Sequence, residues 1–120
     1  MGQKTVLIVD DSRLARMMTQ KIIHQAFPQW EIVTANSADE GVSLAAKTPI
    51  ALALLDYNMP GMNGLDMAVI LIEKYPDMVI NLVTANIQDK MRERAEAIGV
   101  GFIPKPVSEK KLSKIFTKLE

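Results

Sequence analysis

Five short apolar runs alternate with longer amphipathic segments along this chain, and this alternation limits its fold more than any other feature. The runs cover residues 6–9, 32–35, 51–55, 79–83 and 101–103. The first, third and fourth are nearly unbroken apolar stretches, which is typical of strands buried on both faces of a parallel sheet. The second run is more mixed, which indicates an edge strand.

The segments between the runs carry helix signals. Helices are predicted at residues 13–27, 38–47, 65–75, 87–98 and 109–119. Ser12, Ser37 and Ser108 stand where N-caps are expected. Asn86 is expected to cap the fourth helix, and Gly99 to end it in a left-handed conformation. In the first helix, leucine, methionine and isoleucine recur every four residues, at positions 14, 18 and 22, which predicts one apolar face.

A strand followed by a helix, repeated five times with short loops, predicts a doubly wound α/β sheet with right-handed crossovers. The chain has 120 residues, which suits one compact domain, so we expect residues 1–120 to form it. Because the fifth helix ends where the chain ends, we expect no separate output domain.

Composition excludes several classes of protein. Fourteen basic residues balance fourteen acidic ones, so no net charge favours nucleic acid or an anionic membrane. The chain contains no cysteine, which excludes disulfides and thiolate metal sites. The N-terminal apolar run is too short for a signal peptide or a membrane span. We therefore expect a cytoplasmic protein.

Polar residues follow four of the predicted strands directly. Asp10 and Asp11 follow the first, Asp56 the third, Thr84 the fourth and Lys105 the fifth. In an open parallel sheet, sites form beyond the carboxyl ends of the strands. We therefore expect these side chains to gather at one edge of the sheet.

Three carboxylates in one place repel each other. Two charges about 4 Å apart interact with roughly 4 kcal/mol at an effective dielectric constant near 20. A few hard oxygen ligands suit Mg²⁺, whereas the lack of nearby histidine or cysteine argues against zinc. A carboxylate beside Mg²⁺, with a hydroxyl and a lysine, suits in-line phosphoryl transfer. Spacing alone leaves open which carboxylate attacks, although Asp56 stands alone and the adjacent pair suits metal binding.

The chain resembles the receiver domains of two-component response regulators, closest to the single-domain CheY type. The resemblance covers essentially all residues and rests on four motifs in order: VLIVDDS, LLDYNMPGMNG, VTAN and FIPKP. It implies a flavodoxin-like, CheY-like five-stranded parallel sheet in the order 2-1-3-4-5. This order follows from the resemblance and not from the residues.

The resemblance also implies a metal site and a phosphoacceptor. Asp56 resembles the residue that accepts the phosphoryl group. Asp11 resembles a direct Mg²⁺ ligand, and Asp10 one that acts largely through water. The backbone carbonyl of Asn58 would be a further ligand, beside Asp56 itself.

Other residues resemble the family's switch. Thr84 and Lys105 resemble the hydroxyl and the lysine that meet the phosphoryl group, and the bond from Lys105 to Pro106 is implied to be cis. Phe102 stands where the family has an aromatic side chain that changes rotamer. Asn58 and Asn86 lie two residues past Asp56 and Thr84, and are implied to tune the lifetime of the acyl phosphate.

The implied function is a phosphorylation-dependent signalling switch. Its phosphodonor would be a sensor histidine kinase or a histidine phosphotransfer protein. Its chemistry would be limited to self-phosphorylation and slow autodephosphorylation. Repacking of the fourth helix, fifth strand and fifth helix would control a downstream protein, in chemotaxis or a phosphorelay. We expect a monomer that binds neither nucleic acid nor membrane.

Three alternatives remain open from the sequence. An Asp-nucleophile phosphatase of the haloacid-dehalogenase type needs Asp-x-Asp after its first strand, where this chain has Asp-Asp-Ser. A flavodoxin-like cofactor binder needs a phosphate loop there, and two acids would repel phosphate. The chain is alternatively a receiver fragment of a longer response regulator.

Overall fold

The computed structural model describes residues 3–85 and 88–119. Within them, five strands alternate with five helices, as the apolar runs predict. In chain order the elements are β1 (Thr5–Val9), α1 (Arg13–Ala26), β2 (Glu31–Ala35), α2 (Ala38–Lys47), β3 (Leu52–Asp56), α3 (Gly64–Lys74), β4 (Val79–Thr84), α4 (Asp89–Ala97), β5 (Gly101–Pro104) and α5 (Glu109–Leu119). None of the described helices is long and apolar enough to cross a membrane.

The strands form one sheet in the order β2-β1-β3-β4-β5, and every neighbouring pair is parallel. This confirms the fold class and the strand order that the resemblance implied. All residues of β1 and β3 are buried, whereas β2 exposes Glu31. The central strands are largely apolar because helices cover both of their faces.

Side chains of the sheet alternate between two apolar layers. Leu7 and Leu55 belong to a layer that also includes buried residues of α2, α3 and α4. Ile8 and Leu54 belong to the opposite layer, together with buried residues of α1 and α5. Successive strand residues point to opposite faces, so each strand contributes to both layers.

An aromatic cluster lies in the apolar layer beneath α1 and α5. The rings of Phe27 and Phe116 are stacked, with centroids 4.4 Å apart and planes 5° apart. The ring of Trp30 meets Phe116 edge-on, with centroids 4.8 Å apart. All three side chains are buried, so they join the end of α1 to the end of α5.

The expected apolar face of α1 is only partly the buried one. Leu14 and Met18 are 67% and 57% exposed, whereas Thr19 and Ile23 are buried. The buried row lies one residue further along the helix, which rotates it by about 100°. Ile23 packs in the same layer as the aromatic cluster, and this contact decides the rotation of the helix. Ile22, the third residue of the expected row, is half-buried and packs against the same layer, so the row faces solvent only at Leu14 and Met18.

Most helix ends follow the expected signals. The hydroxyls of Ser12, Ser37 and Ser108 accept hydrogen bonds from the first turns of α1, α2 and α5. Gly99 has a φ of 80° after α4, as expected.

Two helix starts differ from the expectation. Helix α3 begins at Gly64, one residue early, because the side chain of Asn63 caps it by accepting from the Asp66 N–H at 2.9 Å. Helix α4 begins at Asp89, with Gln88 as the N-cap residue, which is two residues later than predicted. Asn86, the expected cap of α4, lies outside the described residues.

The orientation of α1 predicts different losses of stability for two substitutions in this helix. Ile23→Ala should lower the free energy of unfolding by about 2–5 kcal/mol, because it empties a packed site. Leu14→Ala should change it by no more than about 0.5 kcal/mol, because the side chain is exposed. Urea unfolding followed by the fluorescence of buried Trp30 measures both. Comparable losses for the two variants would contradict this orientation of the helix.

Candidate functional site

The carboxyl ends of β1, β3, β4 and β5 meet at one edge of the sheet. Because these four strands are neighbours and parallel, the residues at their ends become neighbours too. Asp10 directly follows β1, Asp56 and Thr84 end β3 and β4, and Lys105 directly follows β5. The structure thus brings the sequence-predicted polar residues to one rim.

Asp56 is a buried carboxylate with a cationic partner. The residue is 4% exposed, and its Oδ1 accepts a hydrogen bond from Lys105 Nζ at 3.0 Å. The Lys105 side chain is itself about one-third exposed. A buried carboxylate is costly without such a partner. The ion pair therefore holds the Lys105 ammonium over the Asp56 carboxylate.

Asp10 is the second buried acid. It is 7% exposed, and its Oδ1 accepts a hydrogen bond from the Ser12 N–H at 2.9 Å. Burial raises the pKa of the Asp10 carboxyl above its ordinary value; the Ser12 hydrogen bond opposes this increase, and the charge of Asp56 adds to it. The ionised form of Asp10 is thus held at a cost in free energy that a bound cation would offset.

The carboxylates of Asp10, Asp11 and Asp56 form a cluster whose candidate ligand atoms all lie within 4.8 Å of one another. Asp11 is exposed, whereas the other two are buried. The donor set consists of carboxylate oxygens at the edge of the sheet where the strands end. Hard oxygen donors with room for water fit Mg²⁺.

The loop from Tyr57 to Asn63 leads from this cluster to α3. It is held at both ends, since the Tyr57 N–H donates to the Val83 carbonyl at 3.1 Å and the Gly64 N–H donates to the Tyr57 carbonyl at 3.0 Å. Asn58 lies exposed in this loop, two residues beyond Asp56.

Gly64 lets α3 approach the site closely. A Cβ at this position would lie 2.5 Å from the Asp56 carbonyl oxygen and 3.0 Å from the Tyr57 Cα. Both neighbours are backbone atoms that the sheet holds in place. Only a residue without a side chain allows this packing.

Thr84 and Phe102 lie on neighbouring strands. Thr84 is 1% exposed, and its carbonyl accepts a hydrogen bond from the Lys105 N–H at 2.9 Å. Phe102 pairs in register with Leu82. It is half-buried and packs against the layer that contains Met91 of α4. Asn86 lies outside the described residues, so its expected role stays a prediction.

The peptide bond between Lys105 and Pro106 is cis, as the resemblance implied.

Two basic side chains that the sequence analysis missed contact the backbone of the site loops. Arg16 Nη1 donates to the Asp10 carbonyl at 2.7 Å. Lys111 Nζ donates to the carbonyls of Pro104 and Pro106, at 2.9 Å and 2.8 Å. Acceptors of this kind exist in every residue, so no sequence pattern pointed to these contacts.

An apolar groove of about 400 Å³ borders the site between α1 and the β5–α5 loop. Met18 and Ile22 of α1 line one side, and Pro106 and Val107 line the other. The groove reaches Asp10 and Lys105, so it adjoins the acidic cluster.

The chain belongs to the response regulator receiver domain family, whose model matches residues 6–117. Among solved structures, the chemotaxis protein CheY4 of Vibrio cholerae superposes with a TM-score of 0.86 at 27% identity, over 99% of this chain and 100% of that one. A CheY-like receiver domain from Methanospirillum hungatei superposes with a TM-score of 0.90 at 26% identity, over 98% of this chain and 94% of that one.

The chain also resembles parts of longer curated proteins. A protein-glutamate methylesterase/protein-glutamine glutaminase from Archaeoglobus fulgidus is 38% identical over 105 residues, which are 84% of this chain and 29% of that protein. The sensor protein TorS of Escherichia coli is 28% identical over 111 residues, which are 92% of this chain and 12% of that protein. The chain therefore spans less than a third of the length of either relative.

The close approach at Gly64 gives a prediction about stability. Gly64→Ala should lower the free energy of unfolding by about 1–3 kcal/mol, because the added methyl group meets backbone that cannot move away. Gly41→Ala is the comparison, since there the nearest atom is Cε of the flexible Met67 side chain. In urea titrations of both variants, Gly41→Ala should lower the free energy of unfolding by less than Gly64→Ala does. Equal or greater loss at Gly41 would contradict the assignment of rigidity to the Asp56 backbone.

Proposed function

We propose that the chain is a cytoplasmic, phosphorylation-dependent switch of a two-component system that accepts a phosphoryl group on Asp56. The observation that carries this is the buried Asp56 carboxylate, with Lys105 Nζ 3.0 Å away and two further carboxylates within 4.8 Å. Membership of the receiver family supports the same function.

Asp10, Asp11, Asp56 and the backbone carbonyl of Asn58 would hold Mg²⁺. The ion would neutralise charge on the phosphoryl oxygens. The donor set supports this assignment, since all three side chains offer carboxylate oxygen. The raised pKa of Asp10 supports it too, because burial destabilises the ionised Asp10 carboxylate and a bound cation would stabilise it.

The transfer step uses a carboxylate oxygen of Asp56 as nucleophile. This oxygen attacks the phosphorus of a phosphohistidine on a sensor histidine kinase or a histidine phosphotransfer protein. The new P–O bond forms as the P–N bond breaks, and the histidine nitrogen keeps the electron pair and takes up a proton. Lys105 exchanges its contact with the carboxylate for one with a phosphoryl oxygen. Later attack by water on phosphorus releases inorganic phosphate and restores Asp56.

The apolar surface beside the site supports a protein phosphodonor. Leu14, Met17 and Met18 are exposed on α1, next to the groove that reaches Asp10 and Lys105. Clustered exposed apolar side chains are typical of protein contact sites.

The switch would run from Thr84 to Phe102. The hydroxyl of Thr84 would move towards the phosphoryl group, and Phe102 would turn further into the core. Its half-buried position against the α4 layer supports this, because a further turn would repack α4, β5 and α5. Asn58 and Asn86 would tune the lifetime of the acyl phosphate. Such a switch shifts a two-state population through differential contacts.

The chain would catalyse only its own phosphorylation and dephosphorylation. Family membership and Asp-Asp-Ser after β1 count against an Asp-nucleophile phosphatase. The curated relatives are much longer than this chain, which supports an alternative in which the same switch is the receiver part of a longer response regulator.

Phosphorylation is tested directly by intact mass. Incubation with acetyl phosphate and Mg²⁺ should add one phosphate to the wild-type chain and none to Asp56→Asn, because the amide is not a nucleophile. Asp39→Asn removes an exposed acid in the first turn of α2 and is the control. No mass gain in the wild type, or gain in Asp56→Asn, would overturn the proposal.

Metal binding is tested by calorimetric titration with Mg²⁺. Asp11→Asn should weaken binding about tenfold or more, since it removes a charged ligand. Lys105→Met should tighten binding, because it removes a positive charge that lies 3.0 Å from an Asp56 oxygen. Weaker binding in Lys105→Met, or unchanged binding in Asp11→Asn, would contradict a cation site among the carboxylates.

A further inference from the structure

We infer that Lys111 is a positioning residue for Lys105: it holds the loop that places the Lys105 ammonium over Asp56. This inference rests on the proposed function of Asp56. Its basis is the pair of hydrogen bonds from Lys111 Nζ to the carbonyls of Pro104 and Pro106, the residues on either side of Lys105.

The loop after β5 has few hydrogen-bond donors of its own. Strand β5 lies at the edge of the sheet, so it pairs with β4 alone. Pro104 and Pro106 have no backbone N–H. The Lys105 N–H donates to the Thr84 carbonyl at 2.9 Å and ties the loop to β4. The carbonyls before and after Lys105 accept from Lys111.

Lys111 extends from a fixed base. The Lys111 N–H donates to the Ser108 hydroxyl at 3.3 Å, within the N-terminal cap of α5. The next residue, Leu112, is fully buried in the layer beneath α1 and α5. The start of α5 is therefore fixed by packing in the core. The hydrogen bonds from the Lys111 ammonium attach the loop to this fixed helix. A lysine ammonium has three donors, so it can serve two carbonyls at once.

The two lysines have different tasks. Lys105 neutralises charge at Asp56, whereas Lys111 contacts neutral carbonyls outside the acidic cluster. Loss of Lys111 would leave the metal ligands in place and let the Lys105 backbone move. Misplacing a catalytic group by about 1 Å slows a reaction without changing the group itself.

The test compares wild-type chain with Lys111→Met, Lys111→Arg and Lys110→Met. Methionine keeps the apolar stem and removes the donors, and arginine retains both donors and charge. Lys110→Met removes the same charge from the exposed neighbouring position. Each protein is phosphorylated with saturating acetyl phosphate and Mg²⁺ at a temperature below the midpoint of its thermal unfolding. Its Mg²⁺ affinity is measured separately by calorimetry.

Lys111→Met should lower the phosphorylation rate constant roughly 5- to 10-fold and leave the Mg²⁺ dissociation constant within about twofold of wild type. Lys110→Met should match wild type, and Lys111→Arg should recover most of the rate. A purely structural role would lower the unfolding temperature of Lys111→Met without slowing phosphorylation of the folded protein.

Two results would overturn the inference while leaving the proposed function intact. One is a wild-type rate in Lys111→Met, and the other is an equal slowing in Lys110→Met. Absence of phosphorylation in the wild type would instead refute the proposed function itself. The two failures are therefore distinguishable.

Discussion

A carboxylate removed from water must be met by positive charge or by hydrogen-bond donors, and the arrangement around Asp56 depends on this requirement. Asp56 ends a strand that is buried along its whole length. Lys105 reaches it from two strands away in the sheet, across the end of β4. The parallel order of the strands is what makes this contact possible, since all four strand ends lie at the same edge. The Lys105–Asp56 ion pair at the site therefore depends directly on the strand order of the fold.

The same site holds more negative charge than one lysine can balance. Asp10 and Asp11 lie beside Asp56, and burial raises the pKa of Asp10. This excess of negative charge suits the site to a divalent cation. Helix α3 approaches the Asp56 backbone closely at Gly64, and backbone hydrogen bonds join the loops beside the cluster to neighbouring strands.

Much of the fold was predictable because burial imposes a period on the sequence. Apolar runs located the ends of the five strands to within one residue, and serine side chains marked three helix starts. The prediction for α1 was wrong where it relied on a repeat of four, because Leu14 and Met18 repeat equally well on an exposed face. The contacts of Arg16 and Lys111 were not predictable, because their acceptors are backbone carbonyls.

The amino-acid order alone indicates which residues end the strands, and with them the chemical character of the site: three acids, a hydroxyl and a lysine. This follows because strand ends are set locally, where an apolar run meets a polar residue. Two contacts were visible only in the folded chain: Lys105 pairs with Asp56 at 3.0 Å, and Lys111 donates to the carbonyls of Pro104 and Pro106 on either side of Lys105. Those contacts join elements distant in the chain, and they depend on strand order and helix rotation, which long-range packing sets.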